Sequence, residues 1–269
     1  DSTLGVTTES YGYNNFGEVM SCTAVASSSS VYSQSVTRDN LGRILTRTEN
    51  IQSEVNNYTY TYDNSGRLTF VDKNGQVNSY VYDGNSNRTG GSVRGSAVLA
   101  TYDDQDRLLD YNGNTYIYNA NGDLVEATEN HITKTFNYDV FGNLKSVISP
   151  AGTIEYLVDG FNRRVGKKVN GVLVQGFIYQ NQLQIIGETD GLGNLVSRFV
   201  YASKSNVPDY MIKGGITYRI FSDNLGSPRL VVDAGTGTVI QRMDYDEFGV
   251  VLQDTNPGFI PFGFAGGLM

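Results

Sequence analysis

Tyr62-Asp63-Asn64-Ser65-Gly66-Arg67-Leu68 decides the fold, because it recurs. Tyr82-Asp83 and Tyr102-Asp103 follow, then Tyr118-Asn119-Ala120-Asn121-Gly122-Asp123-Leu124 and Tyr138-Asp139-Val140-Phe141-Gly142-Asn143-Leu144. The tyrosines are 20, 20, 16 and 20 residues apart. A near-constant period of this size means one supersecondary unit copied along the chain.

Ahead of the first motif, Tyr58, Tyr60 and Tyr62 alternate with Thr59 and Thr61, the period of two that marks a strand. Asp63-Asn64-Ser65-Gly66 then reads as a turn. Asp at the first position accepts backbone N–H groups, and Gly at the fourth takes positive φ. A three-residue hairpin loop with a type I turn and a Gly bulge fits this spacing. Arg67–Val71 starts the return strand. A second turn closes each unit: Lys73-Asn74-Gly75, Asn112-Gly113, Pro150-Ala151-Gly152, Asn170-Gly171 and Gly235-Thr236-Gly237. Asn-Gly between alternating runs is a strong hairpin signal. Each unit of 20 residues is therefore two strands and two turns.

Weaker copies extend the pattern. Tyr13-Asn14-Asn15-Phe16-Gly17 is one, and Arg38-Asp39-Asn40-Leu41-Gly42-Arg43 has lost the Tyr. Val158-Asp159-Gly160-Phe161-Asn162-Arg163 has lost both Tyr and the turn Gly, and Tyr245-Asp246-Glu247-Phe248-Gly249 is complete. Residues 21–36 are rich in Ser and Val without a turn Gly, and read as an irregular loop. The expected fold is all-β, a repetitive antiparallel ribbon of hairpins with no helix. Tyr60, Tyr80, Tyr116, Phe136 and Tyr156, two residues before each motif, are expected to line one face as an aromatic ladder. Asp39 is expected to pair with Arg43 and Asp63 with Arg67, as turn braces.

Among the 269 residues are 31 Gly, 19 Tyr, no Trp, one Cys and one His, and the net charge is -8. An acidic chain argues against nucleic-acid or anionic-membrane binding. No apolar run approaches the roughly 20 residues of a membrane span. Cys22 has no disulfide partner and no zinc-ligand spacing. His131 stands alone, so histidine-dependent triads and metal sites have little to work with, and a turn position explains it. Asp83-Gly84-Asn85-Ser86-Asn87 starts like a calcium loop, but Arg88 and Arg94 occupy the positions that need Gly and Glu. Asp103-Asp104-Gln105-Asp106 reads as a solvated turn before a cation site. No cofactor, metal or catalytic residue is assigned. The chain opens on Asp1 without a signal peptide and is read as a processed or excised piece.

The repeats resemble the YD or Rhs repeats of bacterial polymorphic toxins, toxin-complex C components and animal teneurins. Asp223-Asn224-Leu225-Gly226-Ser227-Pro228-Arg229-Leu230 is similar to the D-H-L-G-S-P-R-L segment that opens the Rhs-associated core, with Asn224 in place of His. Tyr245-Asp246-Glu247-Phe248-Gly249 resembles the Y-D-P-F-G that follows it. The resemblance divides the chain into a repeat ribbon, 1–205, and a core segment, 206–269, that stops before the family's self-cleavage region. It implies a secreted or surface-displayed bacterial β-sheet shell without enzymatic activity, spiralling around a toxic C-terminal cargo. Its partners are then the rest of the shell polypeptide and that cargo. The alternative is an extracellular fibre or adhesive protein whose copies pair through sheet edges, with Tyr- and Asn-rich faces suited to glycans. A polysaccharide-cleaving enzyme would need two converging carboxylates, and no feature of the sequence favours one.

Overall fold

A computed structural model describes all residues, Asp1–Met269. The chain is all-β, with 25 strands and one 3-10 turn at Phe264–Gly266. The first six strands are β1 (Ser2–Leu4), β2 (Thr7–Tyr13), β3 (Val19–Ala26), β4 (Ser29–Arg38), β5 (Ile44–Ile51) and β6 (Glu54–Tyr62). There follow β7 (Leu68–Lys73), β8 (Gln76–Tyr82), β9 (Arg88–Val93), β10 (Ser96–Tyr102), β11 (Leu108–Tyr111) and β12 (Asn114–Tyr118). Next come β13 (Leu124–Glu129), β14 (Ile132–Tyr138), β15 (Leu144–Ser149), β16 (Gly152–Val158), β17 (Arg164–Val169) and β18 (Val172–Tyr179). The last are β19 (Ile185–Asp190), β20 (Leu195–Val200), β21 (Tyr210–Lys213), β22 (Ile216–Ser222), β23 (Pro228–Asp233), β24 (Val239–Tyr245) and β25 (Val251–Asp254). No helix is long and apolar enough to cross a membrane.

Two compact units are present. One comprises Arg38–Thr46 and Asn57–Gly176; the other comprises Asp1–Thr37, Arg47–Asn56 and Phe177–Met269. In the first, every strand from β6 to β18 pairs antiparallel with the next. The aromatic positions are not a continuous stack of rings. Tyr60, Tyr80, Tyr116 and Phe136 each face a small or short residue across the strand pair: Val71, Gly91, Ala127 and Val147. Tyr60 and Tyr80, and likewise Tyr116 and Phe136, therefore lie two strands apart, about 9–10 Å, while β10 between the two sets carries Ala100. Tyr58, Val71 and Tyr80 form a buried cluster.

The other unit is layered. Cys22, Ala24, Tyr32 and Ile51 from β3–β5 pack against Phe221, Leu230 and Val232 from β22 and β23. Tyr218, Ile220, Val231 and Met243, pointing the opposite way from β22–β24, pack with Phe199, Met211, Ile260 and Phe262. β22 and β23 are thus covered on both faces, and their sequences lose the polar–apolar alternation accordingly. Relative to the motif, Tyr11 and Ile220 are equivalent positions, yet the Tyr11 face of β2–β5 meets the face of β22–β24 opposite Ile220. The two layers are stacked front to back.

Residues 21–36 are not an irregular loop. They form β3 and β4, with Ser27 and Ser28 in the turn at φ 46° and 68°. Turns with two positive-φ central residues are the favoured hairpin type, but they normally carry Asn and Gly. Here two serines take that geometry, so composition hid the hairpin. Ser27 Oγ donates to Thr236 O at 2.9 Å, which offsets part of the strain.

His131 occupies the same kind of turn, at φ 65° after Asn130 at φ 51°, and is exposed. A non-glycine residue there carries roughly 1 kcal/mol of backbone strain. His131→Gly is expected to raise stability by about 1 kcal/mol. The check is a higher urea midpoint with an unchanged denaturant slope.

Candidate functional site

The recurrent feature is the motif turn. Asp63 Oδ1 accepts the backbone N–H groups of Ser65 and Arg67, each at 2.9 Å. Asp63 N–H donates to Arg67 O, and Gly66 N–H donates to Asp63 O. Gly66 sits at φ 82°. One side-chain oxygen thus pins both amides of a three-residue loop with a Gly bulge. The same four bonds recur at Asn14, Asp39, Asp83, Asp103, Asn119, Asp139, Asp159, Asp190, Asp223 and Asp246. Gly122, Gly142, Gly226 and Gly249 hold the left-handed position, whereas Ser86, Asp106 and Asn162 adopt it without being glycine.

The fifth residue of each turn completes the first. From Asp39 to Asp190, where the first is Asp the fifth is Arg or Asn and donates back: Arg67 Nε to Asp63 at 2.7 Å, Arg107 Nε to Asp103 at 2.7 Å, Asn143 to Asp139 at 3.0 Å. Asp223 and Asp246 have Ser227 and Val250 there, whose backbone N–H groups hold them. Where the first is Asn, the fifth is acidic and accepts: Asn14 to Glu18 at 2.7 Å and Asn119 to Asp123 at 2.9 Å. Donor and acceptor exchange places while the bond persists. The carboxyl of Asp63 is held below its ordinary value first by the backbone N–H of Arg67. For Asp83, Asp103, Asp139, Asp159 and Asp190 the first cause is the side-chain bond from the fifth residue.

The motif tyrosines reach backward. Tyr62 OH donates to Ile44 O at 2.8 Å, Tyr82 OH to Leu68 O at 2.8 Å and Tyr102 OH to Arg88 O at 3.1 Å. Each acceptor is the residue just after the preceding turn. The turn arginines reach forward: Arg43 lies over the Tyr62 ring at 4.8 Å, Arg67 over Tyr82 at 4.9 Å and Arg107 over Tyr118 at 5.4 Å. Tyr138 is partly buried beside Tyr118 and Asp123. At Tyr62 and Tyr82 neighbouring repeats are therefore stapled in both directions, by a hydrogen bond and by a cation–π contact; Tyr102 supplies the hydrogen bond and Tyr118 the cation–π contact.

In the 223–250 region the same turns are overlaid by other segments. Asn206 Nδ2 donates to Leu225 O at 3.2 Å, and Ala265 N–H donates to the buried Ser227 hydroxyl at 3.1 Å. Gly226 and Gly249 are closely approached by Asn206 and Phe264. Phe248 remains exposed, and the Tyr245 ring meets Phe264 edge-on at 5.7 Å. Pro228 pairs with Ser222, and the register skips Arg229, which turns toward the β5 layer.

Arg229 is buried and bonds Glu49 Oε1 at 2.5 Å, Glu49 Oε2 at 3.2 Å and Asp244 at 2.7 Å. Arg242 bridges Asp244 and Glu54, each at 2.7 Å. Arg219 bonds Glu9 at 2.8 Å, both buried. Burial is the largest influence on Arg229 and lowers its pKa, but Glu49, Tyr32 and Asp244 together outweigh it, and the guanidinium is held more firmly protonated than usual. Burial raises Asp244, and its bonds from Arg242 and Arg229 more than reverse this. The motif pattern marks Arg229 but not Glu9, Glu49, Arg219 or Arg242. Their signal was a charged residue on the inward phase of an alternating strand.

The remaining candidates are engaged within the fold. Cys22 is buried, and burial pushes its thiol up to about 12. Asp103 is consumed by its own turn and Arg107, and Asp106 accepts from Asn85 and Asn87. No group of three metal-ligating side chains converges.

Tandem hairpins joined by these turns define a repeat-ribbon protein. A family model described as Teneurin YD-shell matches residues 1–269, and the chain belongs to that family. Human Teneurin-4 is 28% identical over 277 residues, covering 99% of this chain and 10% of its own length. The tRNA3(Ser)-specific nuclease WapA of Bacillus spizizenii is 25% identical over 186 residues, covering 66% of this chain and 8% of its own. The chain thus spans about one tenth of the curated relatives it matches. A TcdB2-TccC3-TEV crystal structure aligns over 97% of this chain and 18% of its own, with 11% identity and a TM-score of 0.48.

Because the turn carboxylates are depressed in the folded state, their contribution is complete above the unfolded value of 3.8 and is lost as pH falls through the folded values. Replacing Asp63, Asp103 and Asp159 together by Asn keeps the pinning oxygen, as Asn119 does naturally. That variant is expected to lose less stability than the parent between pH 5 and pH 2, a window of about three units around these pKa values, measured as urea midpoints. Separately, Tyr82→Phe removes one staple and is expected to cost about 1 kcal/mol, also read from the urea midpoint.

Proposed function

We propose that residues 1–269 are a stretch of wall in a bacterial Rhs/YD-repeat shell, a non-enzymatic structure that encloses a toxic cargo carried on the same polypeptide. The single observation behind this reading is the double stapling of successive hairpins. A ribbon whose repeats are all joined by the backbone ladder, and several of them also by a tyrosine hydroxyl, an arginine stack or both, excludes water and proteases without a dedicated site. The turn carboxylates are engaged by backbone amides and by the fifth residue, so the reading assigns them structure and no catalysis. Residues 206–269 are the opening of the core segment in this proposal, and 1–205 are the ribbon.

One relative supports the cargo half of the reading: it is named as a tRNA3(Ser)-specific nuclease. A secreted or surface location follows from the same reading, since an enclosed toxin acts outside the cell that makes it.

The test is electron microscopy of the natural polypeptide that contains these residues. A closed hollow body with internal density, whose enclosed segment resists added protease, is expected. Open filaments with one chain as the repeating subunit would overturn the shell and favour edge-to-edge assembly.

A further inference from the structure

Three carboxylates and three guanidinium groups face each other between the two layers of the unit that contains both chain ends. Glu9, Glu49 and Glu54 lie on β2, β5 and β6; Arg219, Arg229 and Arg242 lie on β22, β23 and β24. The pairs Glu9–Arg219, Glu49–Arg229 and Glu54–Arg242 join residues 210, 180 and 188 positions apart. In these three pairs every acid belongs to the early layer and every base to the late one. Asp244, on the late layer, bridges Arg229 and Arg242 and holds both guanidinium groups in place.

The apolar part of this interface discriminates only in part between repeats. Cys22 lies eight residues after the first turn residue of its motif. The equivalent position is Val71, Gly91, Ala127 or Val147 in four other repeats, small or apolar and able to sit under Phe221 and Leu230, and Arg47, Tyr111 or Lys167 in three more. Hydrophobic contact is non-directional, so several repeats would satisfy it. The charged positions differ. Four residues before the motif tyrosine, where β2 has Glu9, later repeats carry Tyr58, Asn78, Val98, Asn114 and Lys134. Ten residues after the first turn residue, where β5 has Glu49, they carry Lys73, Val93, Ser149 and Val169, or Glu129 already bonded to Lys134 at 3.0 Å. A shift by one repeat leaves buried arginines facing neutral or basic groups, which is strongly unfavourable.

We infer that β22–β24 form a recognition surface for an acidic β-ribbon, and that the acid–arginine pairs, not the apolar core, select residues 1–56 as the repeats that overlie it. Arg219 and Arg229 are the specificity-determining residues, and Glu9 and Glu49 are what they recognise. The inference concerns contacts inside one chain, so it stands whether or not the ribbon encloses a cargo.

Cys22, the only thiol, lies within the selected layer and reports its opening. The experiment measures labelling of Cys22 by an aromatic disulfide reagent in the intact chain without denaturant, alongside hydrogen exchange of the β3–β4 peptide. Glu49→Gln and Arg219→Met are each expected to raise the labelling rate about tenfold or more, since each strands a buried charge and promotes local opening. The combined variant Glu9→Leu, Arg219→Met, Glu49→Leu, Arg229→Met removes both partners of two pairs. It is expected to keep a cooperative urea transition while Cys22 labels in two or more phases and the β3–β4 peptide exchanges bimodally, because the register is no longer unique. Labelling of the single variants at the parental rate, or of the combined variant in one phase at the parental rate, would overturn the inference. Should the single variants fail to fold, Arg242→Gln loosens the half-exposed Glu54 pair; a faster rate there supports the clasp, and a parental rate counts against it.

Discussion

Everything in the ribbon depends on one side-chain oxygen accepting two backbone N–H groups across a three-residue loop. At Asp63 that oxygen holds Ser65 and Arg67, and the chain then leaves the turn with a one-residue bulge between Thr61 and Tyr62. The bulge fixes the register of the hairpin. Register in turn brings Tyr82 OH onto Leu68 O and the Arg67 guanidinium over the Tyr82 ring. A different turn would move every side chain by one position and send the tyrosines to the other face. The requirement is for an oxygen on a short side chain, not for a charge, which is why Asn14 and Asn119 serve as well as aspartate.

Local chemistry of this kind writes itself into sequence, and most of the fold was legible for that reason. Asp, Gly and the flanking alternation gave the hairpins, the Gly bulge and the Asp63–Arg67 and Asp39–Arg43 pairs. The hairpin at 27–28 was lost because serine, unlike Asn-Gly, does not advertise positive φ. The tyrosine hydroxyl bonds were not legible either, since they join residues 14–18 apart through the three-dimensional register. Least visible was the ionic layer. Glu49 sits in Thr46-Arg47-Thr48-Glu49-Asn50, where a charged residue on a strand reads as solvent-facing until its partner 180 residues away is known.

The two units thus rely on different physics. Residues 57–176 repeat a single local solution, and each hairpin needs only its neighbours. The unit holding both chain ends abandons the repeat where layers meet: β22 and β23 become apolar on both faces, and charges appear where tyrosine or valine would otherwise stand. Burying ion pairs is a poor way to gain stability, because desolvation offsets most of the attraction. Their retention between two apolar layers makes sense as discrimination among near-identical alternatives.

The backward reach of the tyrosines has a consequence for biosynthesis. Because Tyr62, Tyr82 and Tyr102 each bond to a carbonyl that precedes them in the chain, a new hairpin finds its acceptor already made when it leaves the ribosome. The ribbon can therefore be laid down vectorially, hairpin by hairpin, without waiting for distant sequence. Its contacts are of low sequence separation, which favours fast assembly for a β-protein. Glu9 and Glu49 have the Tyr11 and Tyr32 hydroxyls nearby but lack their charge partners until Arg219 and Arg229 have been synthesised. This acidic layer therefore stays open while the residues between it and β22–β24 are made, and closes only when those strands appear.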